Sequence, residues 1–297
     1  MANFTLKQLR YFEAVARHGH FGRAAEACSI SQPAISVQIK ELEASLGTPL
    51  FERAARAVRL TSFGADFGLR VRDILRAVDA LEDLSRTAKT GVLGRLRLGV
   101  IPTIAPYLLP KIIAHLGRTH AGLELHVRET MTERLIQELS DGLIDCAIVA
   151  LPISEPTLEE VFLFEEDFVL IRALADADEP VPDADGLKKM RLLLLEEGHC
   201  FRDQALSFCN IRTALPREGL DGSSLSTLVQ LVGSGIGVTL IPEMAVAVET
   251  RSARVSVARF SAPVPSRKVG MIWRKKSPLA DQLLDISRGV AMAAKDT

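Results

Sequence analysis

The sequence predicts a two-part α/β protein, a small helical head with one long helix behind it and then a larger domain in which strands and helices alternate. Three observations predict it. Apolar residues recur at helical spacing through residues 6–88, with one short alternating stretch near 51–60. From Arg95 onward, strand-like and helix-like segments take turns. The 297 residues, 47% apolar and 25% charged, have the composition of roughly two globular domains. Uninterrupted apolar stretches are short, such as Leu192–Leu195, far below the roughly 20 residues that span a bilayer. No transmembrane helix is expected. Charges every few positions in the first 21 residues argue against a secretory signal, so the expected location is cytoplasmic.

Leu6, Leu9, Phe12 and Ala16 form the stripe of a first short helix, which stops at the His18-Gly19-His20 turn. An alanine-rich second helix runs from about Gly22 to Cys28, compact enough for another helix to cross it closely. The third starts at Ser31, a good N-cap, with Pro33 in the first turn where a missing N–H costs little. Ile35, Ile39, Leu42 and Leu46 are its buried stripe. Gln32, Ser36, Gln38 and Lys40 lie opposite and can read base edges and phosphates from a major groove. Helix, tight turn and helix with a polar first turn is the helix-turn-helix plan. After Gly47–Arg53, Arg56, Val58 and Leu60 alternate with Ala57 and Arg59, a pattern readable as a short wing with arginines beside phosphates. The candidate DNA contacts are Ser31, Gln32, Pro33, Ser36, Gln38 and Lys40, with Arg53 and Arg56 nearer phosphates. Charge is compatible with this: residues 1–64 carry eight basic and five acidic groups, a balance of +3, against −4 for residues 91–297 and −1 for the whole chain.

Thr61 is placed to cap a long helix from Ser62 to about Ala88, in which Phe67, Val71, Ile74, Val78 and Leu81 repeat as a heptad seam. Some 27 residues rise about 40 Å, longer and more one-sided than the head can cover. A second subunit is the expected cover, which would set two reading heads on two half-sites of promoter DNA. Packing within the same chain is the alternative.

The run AVARHGHFGRAAEACSISQPAISVQIKELEASLGTPLFERAARAVRLTSFG is similar, nearly end to end, to the helix-turn-helix region of the LysR-type transcriptional regulators. The resemblance implies a winged helix-turn-helix domain at 1–61, a dimerising linker helix at 62–90 and a regulatory domain at 91–297. In the last of these, Arg95–Val100, Leu123–Glu129 and Asp145–Ala150 read as strands, separated by a helix opened by Pro102–Pro106 and a helix that Thr132 would cap. This spacing predicts a mainly parallel sheet, with ligands near helix N-termini beyond the strand ends, where Thr103 and Thr132 fall. A strand over Val161–Ile171 leads to a second lobe with expected strands at Leu192–Leu195 and Gly237–Ile241 and a helix over Leu225–Val232. A strand at Val269–Trp273 and a helix at Leu279–Met292 return to the first. Lobe I is thus about 91–163 with 268–297, and lobe II about 164–267. Two lobes joined by crossing strands resemble the periplasmic-binding-protein architecture.

Four cysteines are no disulfide framework for a chain of this length. Cys28 and Cys146 read as small core residues. Cys200 follows a strand and a turn-permitting Gly198, at a helix start beside His199 and Arg202, an electropositive setting that favours a reactive thiolate. Along a helix, the nine residues to Cys209 rise about 13.5 Å and turn about 900°, leaving the two thiols on opposite faces. A disulfide between them would then force unwinding.

The stretches LGVIPTIAPYLLP, ETMTERLIQEL, LIDCAIVAL and LLLLEEGHCFRDQALSFC resemble the peroxide-sensing members of the same family. That resemblance implies a peroxidatic Cys200 and a resolving Cys209. It also implies a peroxide-holding network of Thr103, Thr132, His199, Arg202 and Asp203, with Arg267 helping to stabilise the thiolate. The expected partners are hydrogen peroxide, promoter DNA, further copies of the chain in a homodimer or homotetramer, a cellular thiol reductant and RNA polymerase. Gly219 stands near a position where such relatives often carry histidine. No cofactor or metal is expected, since the Gly233–Gly237 stretch lacks the setting of a phosphate loop. Two other functions stay open at this point: a regulator responding to a small organic effector between the lobes, and a thiol peroxidase carrying a DNA-binding head.

Overall fold

The computed structural model describes residues 4–54, 57–90, 94–208 and 222–295, apart from the side chains at 53–54, 57, 76, 79–80 and 82–90. Arg56, Cys209, Gly219 and the side chain of Arg53 therefore lie outside the described residues. The chain forms two compact units, Met1–Thr90 and Gly91–Thr297.

In the first unit each helix start is closed by a local side chain. Helix α1 (Leu6–His18) opens with a capping box: Thr5 Oγ1 accepts from the Gln8 amide at 3.2 Å and Gln8 Oε1 from the Thr5 amide at 2.9 Å. It ends at Gly19, whose φ of 59° lies in the left-handed region that favours glycine. Helix α2 (Phe21–Ala27) is capped by the His20 ring, and α3 (Gln32–Leu46) by Ser31. Strands β1 (Phe51–Ala54) and β2 (Ala57–Leu60) pair antiparallel as the wing. Thr61 Oγ1 accepts from the Gly64 amide at 2.9 Å where α4 (Ser62–Thr90) begins. Leu9, Phe12, Val15, Ile35, Ile39 and Leu42 are the centre of this unit's core.

The expected seam on α4 is divided. Phe67 packs edge-on to Phe12 at 5.2 Å and to Phe4 at 6.2 Å, and Val71 is fully buried in the head's own core. For these two positions the expectation of cover by a second subunit is corrected: aromatic rings of the head reach the first turns of the helix. Val78 is half-buried, whereas Ile74 and Leu81 are 42% and 64% exposed.

The second unit runs β3 (Arg95–Val100), α5 (Ala105–Thr119), β4 (Glu124–Glu129), α6 (Thr132–Ser140), β5 (Cys146–Leu151) and β6 (Leu158–Ala173). It continues through α7 (Ala184–Lys189), α8 (Cys200–Phe208), α9 (Leu225–Gly233), β7 (Thr239–Pro242), α10 (Val246–Glu249), β8 (Val255–Arg259), β9 (Ser266–Arg274) and α11 (Ala280–Lys295). The strand order is β4-β3-β5-β9-β6-β7, with β8 also on β6. The mainly parallel sheet is corrected to a mixed one. Among the strands of the described residues, β3 pairs in parallel with β4 and β5, whereas β5–β9, β6–β9, β6–β7 and β6–β8 are antiparallel. The reason is the length of β6. Its first ten residues pair with β9 in one lobe and Phe168–Ala173 pair with β7 and β8 in the other, so one strand serves both sheets.

Each lobe has its own core, one centred on Leu98, Ile148, Met271 and Ile286, the other on Leu170, Leu193, Val229 and Ile241. Leu192–Leu195 is not a regular strand. Leu192 bridges to Val238 and Leu195 to Gly222, so the segment divides its pairing between two partners. No helix among the described residues is long and apolar enough to cross a membrane.

Candidate functional site

The turn before α8 is set by Gly198, at φ 94°, where a Cβ would lie 2.8 Å from Met131 Sδ. Only glycine fits both the backbone angle and this close approach. The turn makes His199 the residue before the helix and Cys200 its first residue, half-buried and free. A side chain here meets the positive end of the helix dipole. The other two described cysteines offer no thiolate. Burial, with Glu13 nearby, pushes the Cys28 thiol up, and burial, with Asp145 beside it, pushes Cys146 well up.

The expected network divides between two cavities. One, of about 530 Å³, is lined by Cys200 together with Thr132, Asp203 and Arg267. The other, of about 360 Å³, is lined by Thr103 and His199, with Tyr107, Glu129, Glu196 and Glu249. Arg267 joins them. Its Nη1 donates to Thr103 Oγ1 at 2.8 Å, its Nη2 to the Thr103 carbonyl at 3.0 Å, and its Nε to Glu166 Oε2 at 2.8 Å. Glu166 also accepts the Met244 amide at 2.9 Å, and the guanidinium lies 5.8 Å from the centre of the Phe201 ring. The Arg267 charge is thus paired and fixed in place, at the wall of the cavity that holds the thiol.

Arg202 lines neither cavity; its Nη1 donates to the Leu195 carbonyl at 2.6 Å, tying α8 back to the segment before it. His199 is only 5% exposed, and burial lowers its pKa, opposed by Glu196. Of the two groups expected to make this setting electropositive, His199 is held toward its neutral form by burial, while Arg202 brings a guanidinium, a fixed cation, to the first turn of α8.

Capping does not explain the threonines. The N-cap of α6 is Met131 and that of α5 is Ile104, neither with a side-chain cap bond, so Thr132 is the first residue of its helix rather than its cap. Thr132 Oγ1, His199 Nε2 and Gln204 Oε1 are buried with no hydrogen-bond partner among the described residues. A buried polar group left unpaired costs about 1–3 kcal/mol, so Thr132 and Gln204, which line the Cys200 cavity, mark a place that an added polar molecule would complete, while His199 lines the other cavity. Gln204 was missed in the sequence, although it stands four residues after Cys200, a spacing that shares a helix face. Glu166, Tyr107 and Glu249 were missed with less to find them by. The Tyr107 hydroxyl donates to Glu249 Oε1 at 2.6 Å, and burial together with that carboxylate raises its pKa.

In the first unit, Ser31 acts as the cap of α3, its Oγ accepting from the Ala34 amide at 3.4 Å. Gln32, Pro33 and Lys40 are exposed, Ser36 and Gln38 half-buried, and Gln38 Nε2 donates to Glu41 Oε2 at 2.8 Å. Val37 on the same helix is 52% exposed.

Residues 6–65 match the bacterial regulatory helix-turn-helix protein, lysR family, and residues 89–291 match the LysR substrate binding domain. The chain is 40% identical to a probable hydrogen peroxide-inducible genes activator of Streptomyces viridosporus, over 98% of this chain and 95% of that protein. Among solved structures it is similar to a substituted full-length OxyR from Pseudomonas aeruginosa, with TM-score 0.77, 36% identity, and 97% and 95% of the two chains covered. It is also similar to an H2O2-bound OxyR mutant from Corynebacterium glutamicum, with TM-score 0.67, 33% identity, and 99% and 94% covered.

Proposed function

The chain belongs to the LysR family of helix-turn-helix regulators, and from that premise we propose that it is a hydrogen-peroxide-sensing regulator of oxidative-stress genes, with Cys200 as the sensing thiol and Cys209 as its resolving partner. The observation that carries this reading is the placement of Cys200 at the start of α8, in a cavity with the unpaired Thr132 Oγ1 and Gln204 Oε1. Those atoms are suited to hold a small molecule rich in hydroxyl groups. The Cys200 thiolate attacks one peroxide oxygen, forming an S–O bond as the O–O bond breaks, and the departing hydroxide takes a proton to leave as water. Cys200 is then a sulfenic acid, which the Cys209 thiolate attacks to form a disulfide and release a second water.

The helix makes this second step mechanical. From Cys200 to Phe208, α8 rises about 12 Å, and the next Cα is about 3.8 Å further along the chain. With α8 intact, Cα200 and Cα209 are at least about 8 Å apart, beyond the roughly 7 Å that a disulfide spans. The bond therefore requires α8 to unwind, which converts a redox event into a change of shape. On this reading the protein works as a homodimer or homotetramer on promoter DNA, acts on RNA polymerase and is reset by a cellular thiol reductant. Ser31, Gln32, Pro33, Ser36, Gln38 and Lys40 are the DNA contacts of the reading helix, with Arg53 and Arg56 assigned nearer the phosphates. Thr103, Thr132, His199, Arg202 and Asp203 form the network that holds peroxide, Arg267 helps to stabilise the thiolate, and Ser31 caps the reading helix.

The test is binding of the full chain to its promoter DNA before and after about one equivalent of hydrogen peroxide. The wild-type footprint or affinity is expected to change and that of Cys200→Ser to stay fixed. A peroxide response retained in Cys200→Ser overturns the reading. Sustained peroxide turnover with a thiol reductant, in place of one oxidation per switching cycle, would favour a thiol peroxidase instead.

A further inference from the structure

Tyr107, in the first turn of α5, belongs to both lobes of the second unit. Its neighbour Leu108, and then Ile112 and Leu116, bury into the core of the first lobe, but the Tyr107 ring packs against the core of the second. Its hydroxyl donates to Glu249 Oε1 at 2.6 Å, at the end of α10, and the other oxygen of that carboxylate accepts from Ser226 Oγ at the start of α9. One carboxylate thus joins three helices from two lobes through charge-assisted bonds. A second tie crosses the same boundary, where Arg267 links Thr103 to Glu166 and, through it, to the Met244 amide. Arg267 and Glu166 are buried, so breaking that tie would strand both charges away from water. Tyr107 and Glu249 are only half-buried and Ser226 is exposed, so water can replace each bond they lose. The tie through Arg267 is fixed, whereas the tie through Tyr107 can open.

We propose that Tyr107, Glu249 and Ser226 form an interlobe latch that belongs to the reduced arrangement and is released when α8 unwinds. This rests on the reading that Cys200 and Cys209 join. The latch residues line the same cavity, of about 360 Å³, as Leu195 and His199. Leu195 connects the two ends: its carbonyl accepts from Arg202 Nη1 on α8 at 2.6 Å, and it bridges to Gly222, three residues before α9 begins. Unwinding α8 withdraws Arg202 from Leu195, loosens the pairing with Gly222 that sets the start of α9, and moves Ser226 away from Glu249. A contact made in one of two states biases the equilibrium toward that state, so the latch opposes the disulfide and its loss favours it.

The test equilibrates the full chain with mixtures of reduced and oxidised glutathione, which exchange two electrons and two protons with the Cys200–Cys209 pair, and measures the disulfide by alkylation and mass spectrometry. Tyr107→Phe keeps the ring in the core of the second lobe and removes only the hydroxyl. It is expected to shift the equilibrium constant toward the disulfide by about fivefold or more, the size of one net hydrogen bond. Ser226→Ala, at an exposed position, is expected to shift it the same way by about twofold or more. The rate of the first oxidation of Cys200 by hydrogen peroxide should stay within about twofold in both variants, since the latch lies outside the Cys200 cavity. A bond that merely stabilises the fold is present in both redox forms, so its loss lowers the denaturation midpoint and leaves this equilibrium where it was. A shift for Tyr107→Phe short of about fivefold, or toward the thiols, overturns the latch; if that variant does not fold, a shift for Ser226→Ala short of about twofold does so. Absence of a Cys200–Cys209 disulfide in the wild-type chain overturns the reading beneath it.

Discussion

The helix starts of the head and those around Cys200 treat their polar side chains in opposite ways. In the head, Thr5, His20, Ser31 and Thr61 each accept a backbone amide one turn ahead, and the fold closes on itself. Around Cys200, Thr132 begins α6 without capping it, His199 precedes α8 with Nε2 unpaired, and Gln204 carries a buried unpaired oxygen. A buried polar atom without a partner is a loss that the surrounding fold must sustain. The head uses the polar groups at its helix starts to finish the structure and leaves Gln32, Pro33 and Lys40 in solvent. The region around Cys200 keeps unfinished polar groups inside, where a small molecule can complete them.

Removing a satisfied group and removing an unsatisfied one should therefore have different effects, and this is where the comparison can be broken. The largest expected effect is at Arg267, the fully satisfied group at the wall of the Cys200 cavity. Arg267→Met leaves the buried Glu166 carboxylate without its cation, and chemical denaturation should register a loss of about 3–5 kcal/mol. Next is Gln32→Ala on the exposed face of α3. It should weaken promoter binding by about 1–3 kcal/mol in a titration with little change in stability, since Gln32 is exposed.

A matched pair sharpens the contrast further. Ser31→Ala removes a working cap and should cost about 1 kcal/mol in the same denaturation measurement. Thr132→Val removes an unpaired hydroxyl, so it should cost no stability while slowing Cys200 oxidation. Equal destabilisation by the two substitutions would break the distinction.

The smallest effect is a pH dependence from His199, whose folded pKa is depressed by burial. The unfolded chain then takes up its proton first, near the ordinary value of about 6.5. Stability contributed by the neutral ring is present above that pH and declines as pH falls toward the folded value. His199→Gln should flatten the decline in denaturation midpoints measured between pH 7 and pH 5.

How much of this was legible in the sequence follows from how local each feature is. The head could be read because its signals act within one turn: Gly19 stops α1, Ser31 and Pro33 start α3, and Ile35, Ile39 and Leu42 bury one stripe. The mixed sheet could not, because β6 and β9 pair residues about a hundred positions apart, and neither strand's pattern carries its direction. The same distance hides Glu166 from Arg267, 101 residues away. The neutral bias of His199 was hidden in the same way, because burial is a property of the folded chain. Gln204 is the exception, a residue whose helical spacing from Cys200 was visible and unused.

The sulfur that changes can be identified directly. Peptide mapping by mass spectrometry, on the full chain before and after about one equivalent of hydrogen peroxide, should find Cys200 joined to Cys209 while Cys28 and Cys146 stay reduced. A product in which Cys28 or Cys146 is linked, or in which Cys200 is unchanged, would contradict the assignment of α8 as the element that peroxide rearranges.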